Sequence, residues 1–294
     1  MLLPMKKNTT SLLLIASSFI LFFASCEKDI TVDLPQPKTQ YVVEGYVETG
    51  KFPYVLLSKT TPYFAAFDSA ALFSYVVKNA TVIISDGTVT DTLLEPDTSL
   101  GYLYISTKLV GEVGKSYSLK IITPDNTIIT AETRIEEPLE LDSTWFKIQE
   151  GKDSLGFIWA RMSDPDTLGN SYRWFAQRHT KDQQFIAPIG SVFDDKFING
   201  KTFDFAYNRG KVPNSQAEDD KNEEEGFFKD GDTVDIKFCT ITEASFKFWR
   251  LAESQSSSNG SPFSSPAVLP TNIEGGVGIF EGYSPLIYTV IAKK

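Results

Sequence analysis

The sequence has few of the residues that most often carry catalysis or cross-linking. Among 294 residues there are one histidine, His179, and two cysteines, Cys26 and Cys239. A Ser-His-Asp or Cys-His catalytic set would have to use His179, which lies in a polar stretch and is interpreted as a surface residue. One histidine and one spare cysteine cannot supply the usual nitrogen and sulfur ligands of zinc. We therefore predict no histidine-based catalytic set and no metal site of this kind.

Positive charge and internal repetition are also scarce. The chain has 28 Lys and Arg against 38 Asp and Glu, a formal net charge of −10, which disfavours nucleic acids and anionic lipid headgroups as partners. No period of roughly 20 to 50 residues recurs, so neither a solenoid nor a propeller is expected. Apolar residues make up 41% and aromatic residues 13%, a composition that favours a packed core over disorder.

The N-terminus has the pattern of an export signal. Lys6 and Lys7 precede an apolar stretch over 11–23 that ends at small residues and Cys26. This order is typical of a secretory signal peptide, and the apolar stretch is shorter than the roughly 20 residues of a membrane span. Residues 23–26, Phe-Ala-Ser-Cys, resemble a bacterial lipobox, in which the cysteine is lipidated and becomes the new N-terminus. We predict a signal peptide over 1–25 and a lipid on Cys26.

Lipidation of Cys26 would leave Cys239 without a partner in the chain. The fold is therefore not expected to be held by a disulfide, and Cys239 is interpreted as a small, inert strand residue. Cleavage before Cys26 would remove two lysines, so that 26 Lys and Arg face 38 Asp and Glu at a net charge of −12. Membrane attachment would then depend on acyl chains, which contribute about 0.8 kcal/mol per buried CH₂.

The remaining chain is predicted to be mainly β. After an extended tether over 26–38, alternating apolar and polar residues and short turns indicate an N-terminal β-sandwich of immunoglobulin or fibronectin type over 39–137. The hairpin signals include 41–58 and the Asp86-Gly87 pair between strands over 80–85 and 88–93. A second β-rich domain is predicted over 138–294, with an exposed acidic loop at 208–232 and a last strand over 286–291.

One helix is predicted near 242–254. Thr240 and Glu243 match a capping box. Ser245, Phe248, Trp249 and Ala252 then recur at helical spacing, so one face should pack on a sheet.

Two glycine motifs suggest phosphate or nucleotide sites but lack the required context. Gly114-Lys115-Ser116 has no glycine at position 109 and leads into a strand pattern, whereas a phosphate loop opens a helix. We interpret it as a turn before a strand. The tail over 275–278, Gly-Gly-Val-Gly, has its next glycine one place late for a dinucleotide motif and precedes no helix. Its glycines are predicted to allow a bulge or a close backbone crossing.

Carboxylates and aromatic side chains leave other options open. Acidic groups at 164–166, 194–195, 218–220 and 230–232 could ligate calcium, but none matches a spaced calcium loop, so they are interpreted as solvated turns. Paired carboxylates of a glycosidase would need a cleft. Aromatic residues outside clear strands either cover the core or form a partner surface: Phe64, Phe67, Phe73, Tyr75, Phe185, Phe193, Phe197, Phe203 and Phe205.

Several stretches together resemble a known family over nearly the whole mature chain. They are Cys26-Glu27-Lys28-Asp29, the stretch Tyr41 to Gly45, the Pro- and Ser-rich residues 261–266, and the tail from Asn272 through Gly275, Gly276 and Gly278 to Phe280. The chain is similar to Bacteroidota outer-membrane lipoproteins known only as a domain of unknown function and often encoded beside TonB-dependent transporters. The resemblance implies an outer-membrane location, with Glu27, Lys28 and Asp29 as a surface-export signal facing the cell exterior. It implies no catalytic residues.

The sequence leaves three functional hypotheses. The first is a non-enzymatic binding or accessory subunit of a TonB-dependent β-barrel transporter, lipid-anchored and without a cofactor. The second is an envelope structural or assembly lipoprotein without a small ligand. The third is a calcium-assisted surface hydrolase, for which the sequence offers no complete metal motif.

Overall fold

The computed structural model describes residues 38–61, 74–95, 103–211, 226–258 and 268–294, and Thr39–Lys294 form one compact unit. The signal peptide, Cys26 and the three residues after it, Phe64, Phe67, Phe73 and the acidic run over 218–225 lie outside the described residues. The chain is mainly β, as predicted. Within the described ranges, no helix has the length and apolar character needed to cross a membrane.

Most of the strands lie where the alternating patterns predict them. Their bounds are β1 Tyr41–Glu48, β2 Tyr54–Lys59, β3 Thr81–Ser85, β4 Thr90–Thr92, β5 Leu103–Ile105, β6 Ser116–Ile122, β7 Ile128–Arg134, β8 Ser143–Ile148, β9 Leu155–Ser163, β10 Ser171–Arg178, β11 Val192–Asp194, β12 Thr202–Tyr207, β13 Phe228–Lys229, β14 Thr233–Ile241, β15 Ile273–Glu274 and β16 Val277–Ile291. The helix, α1, spans Glu243–Ser258.

The strands form three sheets. A seven-stranded sheet has the order β11-β10-β14-β16-β1-β2-β5, a five-stranded sheet has the order β15-β7-β6-β3-β4, and the third joins β12, β9 and β13, with β8 also paired to β9. The seven-stranded sheet contains strands from both sides of the predicted boundary at residue 137. The division into two domains therefore stays a prediction from sequence, while the central sheet is continuous across it.

Both smaller sheets pack against the same face of the seven-stranded sheet. On β16, Phe280 belongs to the core shared with the five-stranded sheet, and Tyr288 and Val290 pack into the core shared with the sheet of β9. Because alternate residues of a strand point to one face, these even-numbered positions define a common packed face. The odd-numbered Tyr283 belongs to a third cluster on the opposite face, which we call the outer face.

Helix α1 covers part of the outer face. Its buried positions, Ser245, Phe246 and Phe248, are at most 8% exposed, which confirms that one face packs on a sheet. The predicted capping box was wrong. Thr242 is the N-cap, because its Oγ1 accepts the backbone N–H of Ser245 at 3.3 Å, whereas Thr240 Oγ1 accepts the N–H of Leu139 at 3.1 Å. The helix also continues to Ser258, past the predicted end at 254.

The hairpin predictions hold with one change in turn length. β1 and β2 are antiparallel, with Tyr46 opposite Tyr54. β3 and β4 also pair, but Ser85 lies opposite Thr90, so residues 86–89 form the turn instead of a two-residue loop. The Asp86 carboxylate accepts the N–H groups of Thr88 at 2.9 Å and Val89 at 2.6 Å. A side chain therefore closes this turn.

The glycine-rich tail is part of the longest strand. The predicted strand over 286–291 begins at residue 277 in β16, where it runs parallel to β1 and pairs Gly278 with Val43. Gly278 has φ 115°, and a Cβ there would lie 2.0 Å from the Val43 carbonyl oxygen. Only glycine fits that conformation and spacing. This confirms the prediction of a close backbone crossing.

Candidate functional site

The residues of the family-like tail join strands together. Gly275 and Gly276 connect β15 to β16. Asn272 Nδ2 donates to the carbonyl oxygens of Phe280 at 2.6 Å and Glu132 at 2.9 Å, and Asn272 Oδ1 accepts the N–H of Phe280 at 3.0 Å. Since the Asn272 side chain bonds to the backbone of two strands, this part of the signature supports the fold.

Two of the stretches that carried the resemblance, 41–45 and 272–280, meet in the structure. Phe280 lies beside Gly45 in the parallel pair of β16 and β1. A Cβ on Gly45 would lie 2.7 Å from Phe280 Cδ2. The absent side chain at Gly45 therefore makes room for the Phe280 ring, which is fully buried.

His179 and Cys239 lie in contrasting surroundings, one exposed and one buried. His179 Nε2 lies 2.8 Å from Asp235 Oδ2 in an exposed contact on the outer face. Cys239 is a free, fully buried cysteine on β14. Burial raises the pKa of its thiol to about 12, so almost no reactive thiolate forms at neutral pH.

The predicted turn carboxylates are held by neighbouring donors. Asp164 accepts the hydroxyl of Tyr172 at 2.6 Å, and Asp195 accepts the N–H groups of Gly169 and Asn170, each at 2.8 Å. Asp232 accepts the Lys181 ammonium at 2.7 Å. Across the described ranges, no group of three His, Cys, Asp or Glu side chains could hold a metal ion.

The aromatic residues of the poorly patterned segment divide between core and surface. Phe193, Phe203 and Phe205 pack against the second core. Phe197 is 78% exposed. Phe185 lines a cleft on the outer face. The core interpretation is therefore confirmed for Phe193, Phe203 and Phe205, and the partner surface stays a prediction.

The outer-face cleft has a volume of about 1420 Å³. Its walls come from β1, β2, β10, β14 and β16 of the seven-stranded sheet, from α1, and from the loops after β10 and β12. The lining side chains include Glu44, Tyr46, Glu48, Tyr54, Arg173, Phe175, Phe185, Lys237, Trp249, Glu253 and Tyr283. A cleft with aromatic walls and a few charged groups has the usual composition of a binding site.

Arg173 forms the floor of this cleft. Its guanidinium carbon lies 3.6 Å from the centre of the Trp249 ring and 4.7 Å from that of Phe175. Nη1 donates to the Tyr283 hydroxyl at 2.5 Å. Glu281 and Glu253 each approach the guanidinium at 3.8 Å. These contacts neutralise and fix a cation that is only 4% exposed.

Glu281 is the buried carboxylate that contacts Arg173 and Trp249. Its carboxylate is fully buried and accepts the Trp249 indole N–H at 2.9 and 3.0 Å. Burial raises the pKa of Glu281, and the Arg173 charge and the hydrogen bonds oppose that shift. Burial also raises the pKa of the Tyr283 hydroxyl well above its usual range, so this hydroxyl stays protonated at neutral pH.

One wall of the cleft holds an ammonium group among aromatic rings. Lys237 forms an ion pair with Glu48, and its Nζ lies 5.3 Å from the ring centre of Tyr283, 5.4 Å from Phe175 and 5.9 Å from Phe185. Burial alone would raise the pKa of Glu48, but Lys237 and Lys51 hold it below its usual value. This arrangement combines ion pairing with cation–π attraction.

The adjacent part of the wall has a carboxylate and two rings. Tyr46 and Tyr54 lie opposite each other on β1 and β2, with ring centres 5.0 Å apart. Glu44 lies two residues before Tyr46 on the same face. Burial raises the pKa of Glu44 against a hydrogen bond from Tyr46, and burial raises the pKa of Tyr54 to about 12.

The cleft was not predicted from the sequence. Its one sequence signal was the polar half of β1, where Glu44, Tyr46 and Glu48 alternate with the buried Val43 and Val47. Nothing local indicates that Arg173 and Trp249, which are 76 positions apart, would meet.

The family comparison covers most of the chain. The model of a family described as "Domain of unknown function (DUF4249)" matches residues 27–286. No curated protein matches the chain. Among 28 matching chains of solved structures is one titled "Cytokine receptor complex - Crystal form 1A", with 8% identity, 86% of this chain and 97% of that chain covered, and a TM-score of 0.24. A TM-score this low carries no argument about fold or function.

Proposed function

This chain belongs to the DUF4249 family, and we propose that it is a non-enzymatic binding or accessory lipoprotein of the bacterial outer membrane. In this proposal a lipid on Cys26 anchors the protein, Glu27, Lys28 and Asp29 direct it to the cell exterior, and the folded body works with a TonB-dependent β-barrel transporter. The outer-face cleft is its binding site.

The cleft is the observation that carries the proposal. It is larger than the roughly 300–1,000 Å³ of ordinary small-molecule pockets, and its floor is already ordered by the contacts of Arg173. A preordered floor reduces the entropy cost of binding. The turn carboxylates at 164, 195 and 232 each have hydrogen-bond donors, which favours binding over calcium-assisted hydrolysis.

The lipid anchor is tested by labelling cells with a radioactive fatty acid. We expect label in the wild-type protein and none in a Cys26→Ser variant, because the thiol is the acceptor. Cys239→Ser is the matched control and should remain labelled, since Cys239 is buried in the folded body. Label that survives Cys26→Ser would overturn the anchor.

The partner is tested by purifying the protein from detergent-solubilised outer membranes. We expect a β-barrel protein to purify with the wild type. Recovery of the lipoprotein alone, under detergents that preserve other barrel complexes, would overturn the accessory role. Protease treatment of intact cells should also degrade the protein if it faces outward, and full protection would overturn that orientation.

A further inference from the structure

The cleft already shows how it holds a primary ammonium group. Lys237 Nζ is paired with Glu48 and lies within 5.9 Å of three aromatic ring centres, those of Tyr283, Phe175 and Phe185. A carboxylate neutralises the charge while ring faces replace part of its hydration. This internal example establishes that the geometry of the outer face suits an alkylammonium ion.

Glu44 lies on the same face of β1 as Glu48. Tyr46 separates the two glutamates along the strand, and Tyr54 lies opposite Tyr46 on β2. Since diagonal neighbours on one face of a sheet lie about 7–8 Å apart, Tyr54 is also within reach of Glu44. The carboxylate and the two rings repeat the ligand types that surround Lys237.

The two carboxylates differ in what neutralises them. Glu48 pairs with Lys237 and with Lys51. In the part of the chain that the structure describes, no lysine or arginine forms an ion pair with Glu44, and its polar contact is with Tyr46. The buried cation of the floor, Arg173, is matched by Glu281 and Glu253. Glu44 is therefore a half-buried carboxylate inside the cleft, and the described ion pairs of Lys237, Lys51 and Arg173 are with other carboxylates.

We infer that the cleft binds ligands through a primary alkylammonium group placed on the Glu44 carboxylate against the rings of Tyr46 and Tyr54. This inference rests on the proposed binding function. The net charge of −10 also favours the approach of a cation. A lysine side chain of a peptide and a polyamine share this chemistry.

The inference is tested by calorimetric titration of the mature protein, purified in detergent, with blocked trilysine and with spermidine. We expect at least one of them to bind. Glu44→Gln should weaken that binding at least tenfold, because it removes the charge but keeps the side-chain shape. Glu150→Gln is the matched control: it removes the same charge from an exposed turn and should change affinity by less than twofold. Tighter binding of trilysine identifies a peptide, and tighter binding of spermidine identifies a polyamine.

Three results would overturn the inference. The first is that Glu44→Gln and Glu150→Gln weaken amine binding equally. The second is that triglutamate, or trilysine with acetylated side chains, binds as tightly as unmodified trilysine. The third is that neither trilysine nor spermidine binds. The urea midpoint of Glu44→Gln should not fall below that of the wild type, so lost binding is not lost folding. If the protein binds neither amine but still purifies with a β-barrel partner, this inference alone is overturned and the accessory function remains in place.

Discussion

The two faces of the seven-stranded sheet are built from the same strands but hold different chemistry. On the packed face, side chains such as Val43, Leu57 and Phe280 are fully buried among other apolar groups. On the outer face, neighbouring positions place Glu44, Tyr46 and Arg173 around a cleft. One side of each strand therefore stabilises the fold, while the other arranges charges that would be costly without partners.

A buried charge is tolerated in this fold where other side chains complete its contacts. Arg173 and Glu281 are almost fully buried, and burial of either ion alone would cost several kcal/mol. Trp249, Tyr283 and Glu253 complete their contacts from α1 and β16. The outer face therefore depends on complete networks, whereas the packed face depends on apolar volume.

Breaking the network on the outer face should cost the most stability. Arg173→Met should reduce the free energy of unfolding by about 3–5 kcal/mol, because it leaves the Glu281 carboxylate buried without its cation. The measurement is urea unfolding followed by tryptophan fluorescence. In this variant the pKa of Glu281 should rise further. Its stability deficit should therefore be smaller at low pH, where the carboxyl is protonated, and grow as the pH rises.

The matched control is the double variant Arg173→Met with Glu281→Gln. It removes both charges, so much of the lost stability should return. A double variant as unstable as the single one would show that Arg173 stabilises the sheet through packing on Trp249, and the contrast between the two faces would fail at this point.

A leucine-to-alanine substitution should cost different amounts of stability at two adjacent positions of β2. Leu57→Ala should cost about 2–5 kcal/mol, because Leu57 is fully buried on the packed face and a cavity remains. Leu56→Ala, on the half-buried outer face, should cost about 1 kcal/mol, since only part of the side chain is removed from water. Chemical unfolding of both variants measures the difference. Equal costs would mean that the outer face packs as tightly as the inner one.

The packed face could be predicted from sequence because its signal is local. Alternation in 41–48 and 54–58 fixed which residues of β1 and β2 turn inward, and the turn at 49–51 set the register. The close crossing at Gly278 was also predictable, since consecutive glycines outside a helix indicate tight backbone contact. Its partner strand was not, because parallel pairing of β16 with β1 joins positions 235 apart, as for Val43 and Gly278.

The cleft could not be predicted because its parts come from distant elements. Arg173 was assigned to a strand, and Trp249 to the packed side of a helix, but their stacking depends on the order of the strands in the sheet. The wrong prediction of the helix N-cap has a local cause. Thr240 and Thr242 both precede an acidic or polar residue by three positions, and only the tertiary contact of Thr240 with Leu139 decides between them.

Contacts on the part of the outer face that lies outside the cleft and meets solvent should contribute least to stability. Asp235 accepts hydrogen bonds from Thr289 at 2.6 Å and lies 2.8 Å from His179. Burial alone would raise the pKa of Asp235, but these two contacts hold it below its usual value. A lowered pKa stabilises the fold at neutral pH, and that stabilisation disappears as the pH falls below the ordinary range of an aspartate, about 4. Asp235→Asn should therefore cost less than about 1 kcal/mol at pH 7 and less than that near pH 2. Urea unfolding at both pH values measures this. A loss at pH 7 as large as that of Arg173→Met would mean that the exposed and buried parts of the outer face form one network.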